Sequence, residues 1–349
     1  MFGRSKALVG LDIGSSAVKA VELKPAGRAL RVAAYGTEPI PPDNIVDGAV
    51  IDGASVADAI RRLLDRVSPK AKDVAASLSG NAVIVKKIGL PLMTEEELTE
   101  SIRWEAEQYI PFDIQDVNLD YQILESDTGK GSMDVLLVAA KKEKIADYTG
   151  VIAQAGRTPV VVDVDAFALQ NAFEANYDIQ PGVVTVLMNV GASGININIL
   201  AGSTSVFTRD ISIGGNAYTE AVQREFDLTY DQADQLKHGA PVDGIGPDDI
   251  RPVLAAVTEN VLLEVQKTFD FYRATASSDR LDRILLCGGG SRLDGLNAAL
   301  QDRFGLPIEP LDPFRRVTFD EAKLGLPVAE AGPTAVVALG LALRRKGDR

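Results

Sequence analysis

Cysteine and histidine are almost absent from this chain, whose 349 residues include one of each. A single cysteine cannot form an intramolecular disulfide, and one cysteine with one histidine cannot build a Cys/His metal cluster. The same scarcity argues against a Ser-His-Asp triad. The histidine, His238, lies in a polar stretch, so we expect it at the surface. This cysteine usage fits a reducing cytoplasm.

Positive charge is also scarce. The chain has 36 Lys and Arg against 49 Asp and Glu, which gives a formal net charge of −13. A protein that binds duplex nucleic acid needs a basic surface to neutralise phosphates. We therefore expect no nucleic-acid partner.

Long hydrophobic runs are missing as well, because no apolar stretch reaches the roughly 18 residues of a membrane-spanning helix. The last apolar segment, residues 335–343, is rich in Ala and Gly and runs into the basic residues 344–346. We predict a buried helix there rather than a membrane-surface anchor. Residues 1–6 are short and basic, but the apolar run that follows contains Asp12, which argues against a signal peptide. The sequence thus predicts no direct membrane insertion.

The opening stretch of the chain, residues 7–23, is an apolar run broken by a turn of small residues at 14–16. This pattern predicts strand, turn and strand. The turn residues Gly14, Ser15 and Ser16 offer backbone N–H groups and hydroxyls to an anion, with Asp12 before them and Lys19 after them. These groups suit a phosphate with its divalent cation. The alternative is a β-hairpin that merely contains an Asp and a Gly.

A second copy of this pattern begins 177 residues later. The segment 189–193 aligns with 12–16, and apolar strands again flank the turn. A repeat at this spacing indicates two similar halves that face each other rather than a solenoid. Two such turns can hold one polyphosphate from both sides, which adds a set of candidate ligands: Asn189, Gly191, Ala192 and Ser193.

Two further glycine-rich segments follow. Gly214 and Gly215 precede a predicted helix at 216–226, where exposed backbone meets a helix N-terminus. Gly288, Gly289 and Gly290 follow a predicted strand at 283–287 whose Cys287 is expected to be a buried thiol. Three glycines allow a flat or phosphorylated ligand to approach the backbone. Ser291 and Asp294 predict a capping box for the next helix.

Two aspartates alternate on a predicted strand at 160–165, so that Asp163 and Asp165 share one face. A carboxylate at a strand end beside a phosphate site can position water or a metal ion. A solvated loop edge is the alternative explanation.

A separate unit occupies roughly residues 83–159. Thr94 with Glu97 predicts a capped helix, which ends at Pro111. Trp104 lies opposite the apolar stripe of this helix, so it either covers a second core or meets a partner. Strands at 120–125 and 134–140, a turn at 129–131 and a helix at 144–155 complete the unit.

Together these motifs resemble the actin-like ATPase superfamily, whose two phosphate loops and adenosine loop occur in this order. The resemblance implies an α/β, actin-like (ribonuclease-H-like duplicated) fold with two lobes and an α/β subdomain inserted in the first. It implies ATP with Mg²⁺, with Asp12 as the metal ligand, Lys237 on the adenine side and Arg292 in the adenosine loop. The implied division is 1–82 with 160–180, the insertion 83–159, the second lobe 181–332, and a C-terminal helix 333–349 returning to the first lobe.

Within the insertion, residues 90–98 and 104–112 are similar to the PilM family of type IV pilus assembly proteins. That resemblance implies a cytoplasmic protein beneath the bacterial inner membrane. It would bind the N-terminal tail of the inner-membrane protein PilN, in a groove where the insertion meets the first lobe, and link it to the pilus motor.

One position departs from the superfamily pattern, because the second phosphate loop usually begins with Asp and here begins with Asn189. Asparagine keeps the shape and hydrogen bonds but not the charge. Since Mg²⁺ needs only one or two carboxylates, we predict ATP binding with slow or negligible hydrolysis. Two alternatives remain open: a small-molecule kinase with Asp163 or Asp165 as its base, and a filament-forming, cell-division-type actin homologue.

Overall fold

The structure, a computed structural model, describes residues 7–127, 131–276 and 279–348. Its architecture is two lobes, each built on a mixed sheet, with a smaller sheet inserted in the first lobe. Separate buried apolar clusters lie within each lobe and within the insertion, and another joins the lobes.

The first lobe opens with an antiparallel meander: β1 (Val9–Ile13), β2 (Ala17–Ala26) and β3 (Ala29–Pro39). The chain continues through a small hairpin, β4 (Ile45–Val46) and β5 (Ala49–Val50), helix α1 (Gly53–Val67) and strand β6 (Asp73–Leu78). Asp52 caps the N-terminus of helix α1, because its carboxylate accepts a hydrogen bond from the Ser55 N–H at 3.0 Å. Its apolar stripe, including Ile60 and Leu63, is fully buried beneath the sheet. Strand β6 lies parallel to β1.

The insertion contains β7 (Val83–Pro91), α2 (Glu95–Glu107), β8 (Val117–Asp127) and β9 (Ser132–Lys141). The Thr94–Glu97 capping box forms as predicted, with the Thr94 N–H donating to Glu97 at 2.8 Å. Strand β7 was not predicted. Trp104 is 73% exposed, so among the described residues it covers no second core. Of the predicted turn at 129–131, residues 129 and 130 lie outside the described residues.

The chain re-enters the first lobe through α3 (Lys142–Gln154), β10 (Thr158–Val164) and α4 (Asp165–Asn176). Tyr148, Val151 and Ile152 of α3 are buried in the same cluster as α1. By packing, α3 therefore belongs to the first lobe, although its sequence position groups it with the insertion. Strand β10 pairs with β6 in parallel.

The second lobe repeats the first. It contains β11 (Val184–Val190), β12 (Ile195–Ala201), β13 (Thr204–Ile211), α5 (Gly215–Phe226), α6 (Tyr230–Lys237), α7 (Pro247–Thr275), β14 (Arg283–Cys287), α8 (Leu296–Phe304) and β15 (Ile308–Pro310). Its strands follow the order β13-β12-β11-β14-β15, and the first-lobe strands follow the matching order β3-β2-β1-β6-β10. The internal duplication is thus present in the topology.

The C-terminal segment returns to the first lobe with β16 (Val317–Thr318), α9 (Glu321–Leu324) and α10 (Val328–Ala342). Strand β16 joins the edge of β3, and α10 crosses β1 and α4 at backbone distance. A Cβ on Gly340 would lie 1.8 Å from the Ala168 carbonyl oxygen, and one on Gly10 would lie 1.9 Å from that of Ala338. No helix in the described ranges is long and apolar enough to cross a membrane.

Candidate functional site

A cleft of about 1650 Å³ opens between the two lobes. It brings together the predicted ligands from every glycine-rich turn. The predicted residues that line it are Asp12, Gly14, Ser15, Ser16, Lys19, Asp165, Asn189, Gly191, Ala192, Ser193, Gly214, Gly215, Lys237, Gly288, Gly289, Gly290 and Arg292. Asp163 is not among the residues that line it.

The first turn joins β1 to β2 and carries charges of both signs. Asp12 and Lys19 face each other in the antiparallel register, and the Lys19 ammonium lies 3.0 Å from the Asp12 carboxylate. Both side chains are about 15% exposed, since the cleft wall shields them. The Gly14 N–H donates to Ala17 at 3.2 Å and closes the turn. This arrangement presents an ammonium and a carboxylate side by side at one end of the cleft.

The second turn, at 191–194, is braced by the start of α5. The Gly215 N–H donates to Gly191 at 2.9 Å, and the Asn216 N–H donates to Ala192 at 2.8 Å. A Cβ on Gly214 would lie 2.5 Å from the Ala192 oxygen. Glycine at 214 is therefore required for the turn and the helix to touch, independently of any ligand.

The third turn, at 288–290, packs on the end of β11. Gly288 has φ +88°, and a Cβ there would lie 2.2 Å from the Val190 oxygen, so only glycine fits. Gly289 differs, because a Cβ there would meet nothing within 4 Å. Gly289 is thus the position of this turn that a ligand can approach. The helix predicted to start at Ser291 instead begins at Leu296, after a short 3-10 turn at Gly289–Arg292.

The two candidate aspartates are separated by the end of their strand. Asp165 is the first residue of α4, lines the cleft and accepts a hydrogen bond from the Ser77 hydroxyl at 2.5 Å. Burial, reinforced by the negative charge of Asp12, raises the pKa of Asp165 to about 6. Asp163 lies instead beside Arg344, 3.3 Å from its Nε. Asp165 is therefore the aspartate of this pair that can act in the cleft.

On the second-lobe wall, Lys237 is tied down by its neighbours. Its ammonium lies 2.6 Å from Asp234 and donates to the Thr219 hydroxyl at 2.7 Å. Hydrogen bonds from His238 and Lys237 outweigh partial burial and hold the pKa of Asp234 below its usual range. His238 itself is exposed, as predicted, and the Asp234 carboxylate raises its pKa. This triplet fixes the ammonium at the cleft wall.

Two site residues escaped the sequence reasoning: Asn196 on β12 and Asp210 on β13. The Asn189 amide donates to the Asn196 oxygen at 2.9 Å, and the Asn196 amide donates to the Asp210 carboxylate at 2.9 Å. The Gly80 N–H of the first lobe donates to the second Asp210 oxygen at 2.5 Å. The second lobe thus carries a carboxylate beside the cleft after all, two strands away from Asn189.

Comparison with known proteins decides the family. Residues 10–346 match the protein family described as "Type IV pilus assembly protein PilM". The chain belongs to this family. It is 34% identical to a chain in a solved structure named "PilM-PilN type IV pilus biogenesis complex", over 98% of this chain and 99% of that one, with a TM-score of 0.84.

More distant structures share the fold of this PilM-family chain. The ethanolamine utilization protein EutJ from Carboxydothermus hydrogenoformans has a TM-score of 0.56 at 14% identity, over 97% of this chain and 90% of that one. MreB5 of Spiroplasma citri, bound to AMPPNP, has a TM-score of 0.51 at 14% identity, over 97% and 95%. The predicted actin-like fold is confirmed.

Proposed function

We propose that this PilM-family chain is a nucleotide-binding adaptor of the type IV pilus assembly machinery. It works on the cytoplasmic face of the inner membrane, binds the N-terminal tail of a PilN-like membrane protein and connects that protein to the pilus motor. The observation that carries the proposal is the end-to-end match to the chain in the PilM–PilN complex. The same match favours the adaptor over a small-molecule kinase or a division-type filament.

The chemistry of the cleft fits a nucleoside triphosphate. Lys19 supplies an ammonium, and the turns at 14–16 and 191–194 supply backbone N–H groups from opposite lobes. A Cβ on Gly289 would meet nothing within 4 Å, which leaves room beside the third turn for a flat base or a ribose. The cleft volume exceeds the roughly 300–1,000 Å³ of a small-molecule pocket, so it accommodates nucleotide with its hydration.

A hydrated Mg²⁺ fits beside Asp12. Magnesium retains several waters and uses one or two carboxylates with substrate phosphates. Asp12 provides one carboxylate, and Asp165 faces the same cleft, where it can accept hydrogen bonds from metal-bound water. When bound, the cation would neutralise phosphate charge.

Hydrolysis is expected to be slow. Asn189 brings no charge to the second turn, and its amide group is already engaged by Asn196. Asp165, with a pKa of about 6, is the group that can orient water and receive its proton at neutral pH. A single weak base, with no carboxylate at position 189 before the second turn, suits a site that holds nucleotide rather than one that consumes it rapidly.

Nucleotide can influence the partner through closure of the cleft. Because phosphates would contact turns from both lobes, bound nucleotide favours the closed arrangement. It changes partner affinity only to the extent that the partner distinguishes closed from open. The proposed adaptor therefore uses nucleotide as a structural ligand.

Calorimetry with a synthetic N-terminal tail of the PilN-like partner tests the adaptor role. We expect stoichiometric binding, stronger with Mg-ATP present than without nucleotide, and no heat from a peptide of scrambled sequence. Absence of binding under both conditions contradicts the proposal.

A separate variant tests the nucleotide. Gly289→Val has room in the fold and extends into the cleft, so it should weaken Mg-ATP binding at least tenfold without lowering thermal stability. Unchanged Mg-ATP affinity in this variant would exclude the third turn from the site.

A further inference from the structure

A row of polar side chains crosses the second-lobe sheet in direct cross-strand register. Cys287 on β14 pairs with Asn189 on β11, Asn189 pairs with Asn196 on β12, and Asn196 pairs with Asp210 on β13. We call these four residues the polar ladder. Residues in register on neighbouring strands point to the same face, so their side chains meet in a continuous line.

Both ends of the polar ladder specify its direction. Both carboxylate oxygens of Asp210 accept hydrogen bonds, one from Asn196 and one from Gly80, so Asn196 must turn its amino group toward Asp210 and its oxygen toward Asn189. Asn189 then donates its amino group to Asn196 and leaves its own oxygen facing Cys287, whose Sγ lies 3.8 Å away. Burial raises the pKa of Cys287, which keeps the thiol protonated and able to donate. Donation therefore runs one way, from Cys287 to Asp210.

The Asp210 end of the polar ladder leaves its lobe. Its second oxygen accepts a hydrogen bond from the Gly80 N–H at 2.5 Å, and Gly80 lies in the segment of the first lobe that follows β6. Asp210 is exposed at the rim of the cleft, whereas Asn196 is only 9% exposed and Cys287 is fully buried. The contact between lobes thus sits where opening of the cleft would break it, while the rest of the row stays inside one lobe.

We propose that Asp210 is the positioning residue of the second phosphate-binding turn, which orients Asn189 through Asn196 and ties that orientation to cleft closure through Gly80. The proposal rests on the proposed nucleotide-binding function. In the closed cleft, Asp210 is held on both oxygens and the polar ladder has one orientation. In the open cleft, the Gly80 contact is lost and water competes for Asp210.

Two substitutions at Asp210 separate its two contacts. Asp210→Ala removes the acceptor for both Gly80 and Asn196. Asp210→Asn keeps an oxygen for Gly80 but presents an amino group to Asn196, so the amide groups of Asn196 and Asn189 must reverse. Glu225→Gln is the matched control, because it removes one negative charge from an exposed position on α5 outside the cleft lining.

The measurements are hydrogen exchange of the Gly80 amide in nucleotide-free protein and Mg-ATP affinity by calorimetry. We expect Asp210→Ala to accelerate Gly80 exchange and to weaken Mg-ATP binding about three- to tenfold, since Asp210 is exposed and its bonds compete with water. We expect Asp210→Asn to retain slow Gly80 exchange yet weaken Mg-ATP binding by a similar factor. A merely structural role for Asp210 does not produce this split between the two variants.

A double substitution completes the test. If Asp210 acts through Asn189, then adding Asp210→Ala to Asn189→Ala should weaken Mg-ATP binding by less than the product of the single effects. Affinities of both Asp210 variants within twofold of the Glu225→Gln control overturn the proposal. If the unaltered chain binds no Mg-ATP, the proposed nucleotide function fails on its own. In that case the link between the lobes is tested by hydrogen exchange alone, and equal Gly80 exchange in all variants overturns it.

Discussion

Asp165 allows a quantitative test of the electrostatics of the cleft. Its carboxyl is partly buried, and its surroundings disfavour the charged form. Burial and the charges of Asp12 and Asp210 raise its pKa, while the Ser77 and Ser79 hydroxyls oppose them. Burial, reinforced by the charge of Asp165, raises the pKa of Tyr148 on α3. We propose the substitution Asp165→Asn in nucleotide-free protein. Asparagine keeps an oxygen that can accept the Ser77 hydroxyl and removes the charge.

The sign and size follow from proton linkage. A carboxyl with a pKa of 3.8 when unfolded and about 6 when folded stabilises the protein fully below pH 3.8, and this contribution is lost as the pH rises through 6. A tenfold change in proton affinity is worth about 1.4 kcal/mol, so the full effect is about 3 kcal/mol. Because Asp165 is partly exposed to water in the cleft, this value is an upper bound. The stability advantage of Asp165→Asn should therefore rise by at most about 2 kcal/mol between pH 4 and pH 6 and level off above pH 7.

Urea unfolding followed by circular dichroism, at half-unit steps from pH 4 to pH 8, measures this difference. Other carboxylates with lowered pKa values, such as Glu38, contribute an opposite pH dependence, but they are common to both proteins and cancel in the difference. A flat difference for Asp165→Asn, or a variant less stable than the unaltered protein at pH 7, refutes the reasoning.

Further predictions concern packing, turnover and the exposed aromatic. Gly340→Ala should destabilise the protein by about 3 kcal/mol or more, because its Cβ would lie 1.8 Å from a backbone oxygen of α4. The matched helix substitution Gly150→Ala, which meets nothing within 4 Å, should stabilise it by about 0.5–1 kcal/mol, and thermal unfolding compares the two. Asn189→Asp should raise steady-state ATP turnover. A turnover rate of ~1–10 s⁻¹ in the protein without this substitution would contradict the predicted slow hydrolysis. Trp104→Ala should change the unfolding free energy by less than about 0.5 kcal/mol, because the side chain is 73% exposed.

The two turns of small residues that line the cleft could be predicted because they are local. A strand that meets small residues and resumes as a strand must turn back on itself, and both copies do so at 14–16 and 191–194. Helix α2 was equally predictable, since the Thr94–Glu97 capping box is made within one turn of chain. The helical period also placed Trp104 away from the apolar stripe, but it could not say whether solvent or another surface lay there.

Sequence patterns mispredicted the roles of residues where a strand gave way to a helix or where residues distant along the chain pack together. The alternation argument for Asp163 and Asp165 assumes a continuous strand, but β10 ends at Val164 and α4 begins at Asp165. The period of two therefore stops between them. Gly214 and Gly288 were predicted for a ligand, and the structure shows that backbone packing requires each of them, Gly214 against the second turn and Gly288 against the end of β11.

The duplicated actin-like architecture, the inserted subdomain and the turns of the cleft can be read from the sequence, because repeats, caps and glycine turns occupy short segments of chain. The tertiary structure determines which charges meet in the cleft. In the fold, Asp163 lies beside Arg344, and Asp210 is linked to Asn189 through Asn196. A hydrogen bond between Gly80 and Asp210, which are 130 residues apart along the chain, joins the two lobes. Strand order and register set these pairings, and neither can be derived from the spacing of residues along one chain.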